Sequence, residues 1–524
     1  MSKPASDHLF RLIKSLSRTE KRYFKLFAAR HTIGEKNDNL ILFEAIDAQS
    51  EYDEVKLMKL FKQHTFQTRP AIAKARLYET VLRSLDAFHA DSSADVEIRK
   101  LLHFAEILFK KSLYDESYKM LAKAKRLAVE NEKYPALIDV FKWEKKLLEK
   151  ESYSGKSFED ITRLLEEDQL VIEKITNYAE FWYIKSRLIM LLNKQGKVRD
   201  NAELASFKNI IDTTLLKSED KALSYETRYL YYHIYTAYYF GIGDYKSSYD
   251  YIKKHLKLIE GNSTFFKEEP NKYFAVLSNM IYVCTQLRKF KEIPVYLKKL
   301  KSIPHSFSGE MTEDLEIKLF STSYSAELSV FIQTGMFEKA IQLIPHIENG
   351  LKKYRGKINK VRAAYFYFNI AIVYFAVGNF SRALHWINHL LNDTSLDESM
   401  DIYCFAKILN LIIHLEMGNN DLIPYAFKST LRYLEKRKRI YRFESVFFNF
   451  IKKIQKAYND KETILSYTTL KNELNLLSKD PFEKIVYEYF DFISWAESKI
   501  SGSSFVSTVK KRLSKKNLPY EPVS

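Results

Sequence analysis

One recurring phrase constrains this chain more than any other feature. AELSVFIQTGMFEKAIQLI ends at Ile344, NIAIVYFAVGNFSRALHWI at Ile387 and YTAYYFGIGDYKSSYDYI at Ile252. Each reads as an apolar helix, a glycine, an aromatic two residues later and a small residue three further on. Aligning every such turn gives anchors at Ser112, Gly155, Gly196, Gly243, Arg288, Gly335, Gly378 and Gly418, about 43 residues apart. Seven residues before the anchor the aligned column is apolar everywhere except at Thr236. Two residues after it five of the eight are aromatic (Tyr114, Tyr245, Phe290, Phe337 and Phe380), the others being Ser157, Val198 and Asn420, and the Gly155 unit is the weak member of the set.

The positions seven and four before the anchor lie three apart, so they share one helix face and turn inward together. Glycine supplies the left-handed conformation that ends the first helix. The aromatic fills the corner between the two helices. The small residue at the fifth position (Ser117, Ser248, Ala340, Ala383) lets the second helix approach the first. A single hairpin of this kind cannot bury its apolar face, so neighbours must stack.

Gly335 with Phe337 and Ala340, and Gly378 with Phe380 and Ala383, carry a pattern that resembles the tetratricopeptide-repeat (TPR) superfamily; Gly243 with Tyr245 and Ser248 matches in part. The resemblance covers about residues 95–430. It implies a right-handed α-solenoid whose concave surface holds a peptide or protein segment. The period exceeds the family's roughly 34 residues, and its closing proline is not regularly present. One group within that family clamps C-terminal carboxylates with a Lys and an Asn, ten and six residues before the turn glycine. Here the column six before the anchor reads Glu106, Glu149, Met190, Ala237, Tyr282, Ser329, Ile372 and Ile412, so that clamp is not implied. Tyr231, Tyr232, Tyr235 and Tyr238 suit either a groove or helix packing.

The chain has 524 residues, too many for one compact core, and its 46% hydrophobic and 28% charged content is that of a folded protein. Only 13 glycines and 11 prolines argue against sandwiches, barrels and doubly wound sheets, whose turns consume them. The expected fold is all-α: a TPR-like solenoid over residues 91–495, a small helical N-terminal unit over 1–90 and a mobile basic tail over 496–524. Within the first, Ser17-Arg18-Thr19-Glu20 has capping-box spacing and should start a helix. Further helices are expected from about Asn39 to Gln49, Asp53 to Gln63 and Pro70 to Ala90. This unit is read as a cap, with a helix-turn-helix as the sharper alternative.

The net charge of +17 is held unevenly. Segments 11–30, 352–362, 436–456 and 499–516 each carry a net +6 or +7, together more than the whole chain. Such patches attract polyanions. The candidates are Lys352, Lys353, Arg355, Lys357, Lys360 and Arg362, with Lys436, Arg437, Lys438, Arg439 and Arg442.

No catalytic motif survives inspection. Gly155-Lys156-Ser157 lacks the earlier glycine of a phosphate loop, Lys150 standing in its place. His385 and His389 are one helical turn apart but lack a third ligand. Asp314, Glu316 and Lys318 could be arranged as a nuclease-like acid cluster, but such triplets are common on any charged helix. Cys284 and Cys404 have no metal-ligand spacing and read as core thiols. The uncharged stretch from Ala363 to Ser381 is read as a buried helix and not as a membrane span. With no secretory pattern at Met1–Phe10, the expected location is cytoplasmic. The expected function is a non-enzymatic scaffold or adaptor that binds a protein or peptide segment, with no cofactor, metal or catalytic residue. The alternative is a nucleic-acid-binding or regulatory protein acting through the basic patches.

Overall fold

The computed structural model describes residues 7–30, 37–63, 69–90, 93–262, 269–306, 313–393 and 401–515. Among these residues there are 24 α-helices and no strand. The chain divides into two compact units, residues 1–171 and 172–524. The first unit thus runs past residue 90, to Val171.

The first unit starts with α1 (His8–Ser15), α2 (Arg18–Arg30), α3 (Asp38–Asp47), α4 (Glu54–Gln63) and α5 (Pro70–Phe88). Their apolar stripes close on Ile13, Phe24, Phe43, Ile46, Leu77 and Val81, with Phe24 stacked on Phe43 at 4.3 Å between ring centres. The capping box forms at α2: the Ser17 N–H donates to Glu20 Oε2 at 2.7 Å, and the Glu20 N–H donates to Ser17 Oγ at 3.2 Å. Helices α6 (Ala94–Lys110), α7 (Tyr114–Glu130) and α8 (Tyr134–Lys150) follow.

Six of the eight anchors end a helix and turn the chain into the next. Ser112, Gly243, Arg288, Gly335, Gly378 and Gly418 have φ between 56° and 80°. At each, the anchor N–H donates to the carbonyl three residues back and the following N–H to the carbonyl five back. The Gly378 N–H thus reaches the Phe375 oxygen at 3.0 Å and that of Asn379 the Tyr374 oxygen at 2.9 Å. This pair of bonds satisfies carbonyls that a helix end otherwise leaves open. Serine and arginine accept the left-handed conformation because the same two bonds offset its strain.

The hairpin interior follows from the columns. Ser117 Oγ donates to the Ala105 carbonyl at 2.8 Å, and Ser248 Oγ to that of Thr236 at 3.2 Å. In these two hairpins the fifth position therefore touches the backbone of the seventh position before the turn, which is why it is small there; after Arg288 and Gly418 it is Ile293 and Ile423. Ala340 and Ala383 are fully buried in the same place. In three hairpins the corner aromatic meets a second aromatic three residues before the anchor. The pairs are Tyr114 with Phe109, Tyr245 with Phe240 and Phe380 with Phe375, all edge-on.

Gly155 and Gly196 do not bound a hairpin. Helix α8 has already ended at Ser152 and Tyr153, whose φ values are 51° and 59°. Between the two glycines runs one helix, α9 (Phe158–Gln195), 38 residues long. It contains neither glycine nor proline, so nothing in it interrupts helical hydrogen bonding.

In the second unit α10 (Asn201–Ile211) precedes six pairs: α11 (Tyr225–Gly241) with α12 (Tyr245–Glu260), α13 (Pro270–Gln286) with α14 (Ile293–Ser302), α15 (Glu313–Gln333) with α16 (Phe337–Lys353), α17 (Lys360–Ala376) with α18 (Phe380–Leu391), α19 (Asp401–Glu416) with α20 (Ile423–Lys436), and α21 (Arg442–Ile454) with α22 (Asp460–Leu477). The uncharged stretch from Ala363 to Ser381 is α17, the turn at Gly378 and the start of α18. Ala364, Phe366, Phe368 and every residue from Ile370 to Ala376 are buried, and among the described residues no helix is long and apolar enough to cross a membrane.

The segment after α22 folds back onto these helices. Tyr489 stacks on Phe405 at 4.1 Å, Phe490 meets Phe375 at 5.3 Å, and Phe492 meets Phe443 at 4.7 Å. The tail expected to be mobile from residue 496 is instead helical in α23 (Phe492–Ser501) and α24 (Phe505–Lys515). The reason is an apolar stripe: Phe505, Val509 and Leu513, one turn apart, pack beside Phe337 and the Gly335 turn. Residues 516–524 lie outside the described residues.

Candidate functional site: a cleft along the first helices

After α9 the chain crosses residues 196–200 in irregular conformation before α10 begins. Lys197, Val198 and Arg199 are nonetheless buried. The Val198 N–H donates to the Gly241 carbonyl at 2.9 Å. Lys197 Nζ reaches the Glu488 carboxylate and the hydroxyls of Tyr245 and Tyr282, the latter two at 2.7 and 3.0 Å. The Arg199 guanidinium bonds Glu444 and, at 2.7 Å, Glu483. Burial alone would lower the pKa of both cations, but their carboxylates outweigh it and the net shift is upward. Arg439, also buried, lies 3.4 Å from Asp401.

Beside this network opens a cleft of about 460 Å³. Its walls come from α11, α13, α15 and α17, the first helices of four successive pairs, and Glu488 and Tyr489 close one side. The residues that face it repeat in register. Ten before the anchor stand His233, Ser278, Ser325 and Phe368; six before stand Ala237, Tyr282 and Ser329. These positions are one turn apart on each helix, which is why one face of each helix reaches the same space. The side chains of Ser325, Ser329, Gln333 and Asn369 hydrogen-bond to no other described residue. Burial, with a smaller contribution from Lys185, pulls His233 down to about 4, so its imidazole is neutral at pH 7. A second cavity of about 620 Å³ shares Gln286, Gln333, Glu488 and Tyr489 with the first and is flanked by Phe505 and Arg512.

The basic candidates are placed in different ways. Arg362 lines the cleft, its Nη1 donating to Thr322 Oγ1. Arg439 is buried against Asp401. Arg442 stays exposed and pairs with Asp480, Lys353 pairs with Glu316, and Lys357 with Glu313. Arg437 lies 3.9 Å over the Tyr433 ring. Lys352, Arg355, Lys360, Lys436 and Lys438 are exposed. Among the described residues no hydrogen bond or ion pair joins segment 352–362 to segment 436–442.

The tyrosines of α11 serve packing. Tyr235 stacks on Tyr251 at 4.6 Å and donates to the Leu216 carbonyl at 2.6 Å. Tyr231, Tyr232 and Tyr238 are buried and do not line the cleft. The rings of His385 and His389 lie 4.9 Å apart, and among the described residues no group of three or more His, Cys, Asp or Glu could hold a metal ion. Asp314 pairs with Lys318 along its own helix. Burial pushes the thiols of Cys284 and Cys404 up to about 12, which leaves them protonated and unreactive.

Sequence reasoning missed Lys197, Arg199 and most of the cleft wall. The column six before the anchor already held Ala237, Tyr282 and Ser329, and its mix of small and hydroxyl-bearing residues is the signal that marks the cleft. Compared with models of known protein families and with curated protein sequences, the chain matches none.

Proposed function

We propose that the protein is a non-enzymatic recognition module that holds a peptide or protein segment in the cleft along α11, α13, α15 and α17. The single observation behind this reading is the register: the same two positions on three successive first helices, α11, α13 and α15, face one shared space, lined by unengaged polar side chains over an apolar floor. A site built in this way recognises an extended ligand stepwise, one helix at a time. The left-handed turns, corner aromatics and small fifth residues support a TPR-like, right-handed stacking of the pairs. The basic segments give weaker support to nucleic-acid binding, because Arg362 and Arg439 face inward and Lys353, Lys357 and Arg442 already have carboxylate partners.

The test is capture of partners by the full chain from lysate, compared with the Ser329→Trp variant, whose indole fills the cleft. Discrete proteins should survive nuclease treatment with the wild type and be lost with the variant. Capture that is nuclease-sensitive, or indifferent to the indole, overturns the reading.

A further inference from the structure

Cations withdrawn from water are paired in folded proteins, because an isolated buried charge is costly. The second unit obeys this rule at Lys197, Arg199 and Arg439, whose carboxylates are Glu488, Glu444 with Glu483, and Asp401. Arg362 departs from it. Its guanidinium is half-buried in the cleft wall, and the contact it makes is to the neutral hydroxyl of Thr322. Among the described residues no carboxylate pairs with it. Burial lowers its pKa with no acid to oppose the shift. Glu488, the acid that shares the cleft with Arg362, is engaged by Lys197, and on α15 Glu313 is engaged by Lys357 and Glu316 by Lys353.

The surroundings of Arg362 define what could complete it. On α15, Thr322, Ser325, Ala326, Ser329 and Gln333 recur three and four apart and form one stripe along the cleft. Arg362, in the first turn of α17, meets the first member of that stripe. An anion at the guanidinium therefore sits at one end of the cleft, with the remaining space running along hydroxyl and amide side chains above Ala326, Ile281 and Phe368. Glu488 is neutralised by Lys197, so the cleft has one unmatched positive charge. One negative charge balances it, whereas a doubly charged phosphate would leave an excess in a space otherwise without free cations.

Resting on the reading of the cleft as a recognition site, we infer that it takes a monoanionic carboxylate carried on an apolar body, the carboxylate paired with Arg362. Guanidinium and carboxylate match in a two-pronged fork that an ammonium cannot reproduce. A volume of about 460 Å³ suits a short peptide end or a medium-chain aliphatic acid. Both present the same chemistry.

Two probe pairs separate the sources in calorimetric titration of the full chain. Acetyl-Leu-Ala-Phe with a free carboxylate is compared with its C-terminal amide, and octanoate with octanamide. At least one acid should bind roughly ten-fold or more tightly than its amide, which corresponds to about 1.4 kcal/mol. The peptide pair responding identifies a chain terminus, and the octanoate pair an aliphatic acid. Arg362→Gln should remove the difference and Arg362→Lys restore only part of it. Because Arg362 has no acid to leave orphaned, R362Q should fold with an unchanged or raised melting temperature. Equal binding of acids and amides, full binding by R362Q, or no binding of either acid at millimolar concentration overturns the inference. If Ser329→Trp abolishes partner capture while R362Q does not, the recognition reading stands and the carboxylate assignment fails. If the acids bind through Arg362 but no partner is captured, the reverse holds.

Discussion

Arg199, in the irregular stretch after α9, bonds the carboxylate of Glu444, which stands 245 positions further along the chain; both side chains are almost fully buried. Glu483 completes the group at 2.7 Å, and it also accepts the backbone N–H of Arg442 and of Phe443. The Arg199 guanidinium further lies 4.2 Å from the centre of the Tyr441 ring. One side chain thus fixes the start of the second unit against its last pairs.

Arg199→Met should therefore be strongly destabilising. It leaves two buried carboxylates facing each other without a cation, a situation that costs about 3–5 kcal/mol. Acid should relieve part of the loss. Burial already raises the pKa of Glu444, and without Arg199 its folded form would take up a proton more readily than its unfolded form. The gap between variant and wild type in urea denaturation should accordingly narrow from pH 7 to pH 5. A variant within 1 kcal/mol of wild type at pH 7, or a gap independent of pH, would show that the group contributes little.

Gly196 and Gly378 both adopt left-handed backbone, with φ of 74° and 80°, but they differ in what surrounds them. A Cβ at Gly378 would meet nothing within 4 Å, whereas one at Gly196 would lie 2.3 Å from Asp401 Oδ2. Gly378→Ala should cost about 1–2 kcal/mol, the strain of the conformation alone. Gly196→Ala should cost clearly more, because Asp401 must also shift from Arg439 and from the Lys197 N–H. Equal losses in thermal or urea denaturation would contradict the contact.

How far the chain was legible depended on the range of each signal. Turn chemistry is local, so Ser112 and Arg288 align with glycines from sequence alone, and both adopt the left-handed conformation. The same alignment misplaced a hairpin between Gly155 and Gly196, although the absence of glycine and proline over 158–195 already pointed to one helix. The closure of residues 196–203 onto Asp401, Glu444, Glu483 and Glu488 had no local signature, because ion pairs that distant leave no spacing to read. Basic runs were equally opaque. Arg362 and Lys360 are two residues apart, and helix positions at that spacing point to nearly opposite sides, so one faces the cleft and the other solvent.

The fifth position after the turn tests the hairpin geometry directly. Ala383 is fully buried where the equivalent Ser117 and Ser248 donate to a carbonyl of the first helix. Ala383→Ser should be tolerated to within about 1 kcal/mol, since its hydroxyl has that carbonyl as acceptor. Ala383→Leu should cost about 1–3 kcal/mol or more by forcing α17 and α18 apart. Similar losses for the two variants in chemical denaturation would mean that helix approach at this point is not limiting.

His233 gives the fold a dependence on acid. Its ring faces Tyr229 at 6.2 Å and His255 at 6.5 Å between centres, and Lys185 lies near enough to add a small unfavourable charge. Burial pulls the folded imidazole down to about 4 from an unfolded value of 6.5. Between those values the unfolded chain holds a proton that the folded chain does not, so stability falls as pH drops through the window. The slope from one such group is at most about 1.4 kcal/mol per pH unit. His233→Asn, neutral throughout, should lose less stability than wild type between pH 6.5 and pH 4. His255, shifted in the same direction first by burial and then by His233, keeps part of the slope in the variant. Denaturation midpoints measured across the window decide it: parallel curves for wild type and His233→Asn would mean that the imidazole titrates freely in the folded protein.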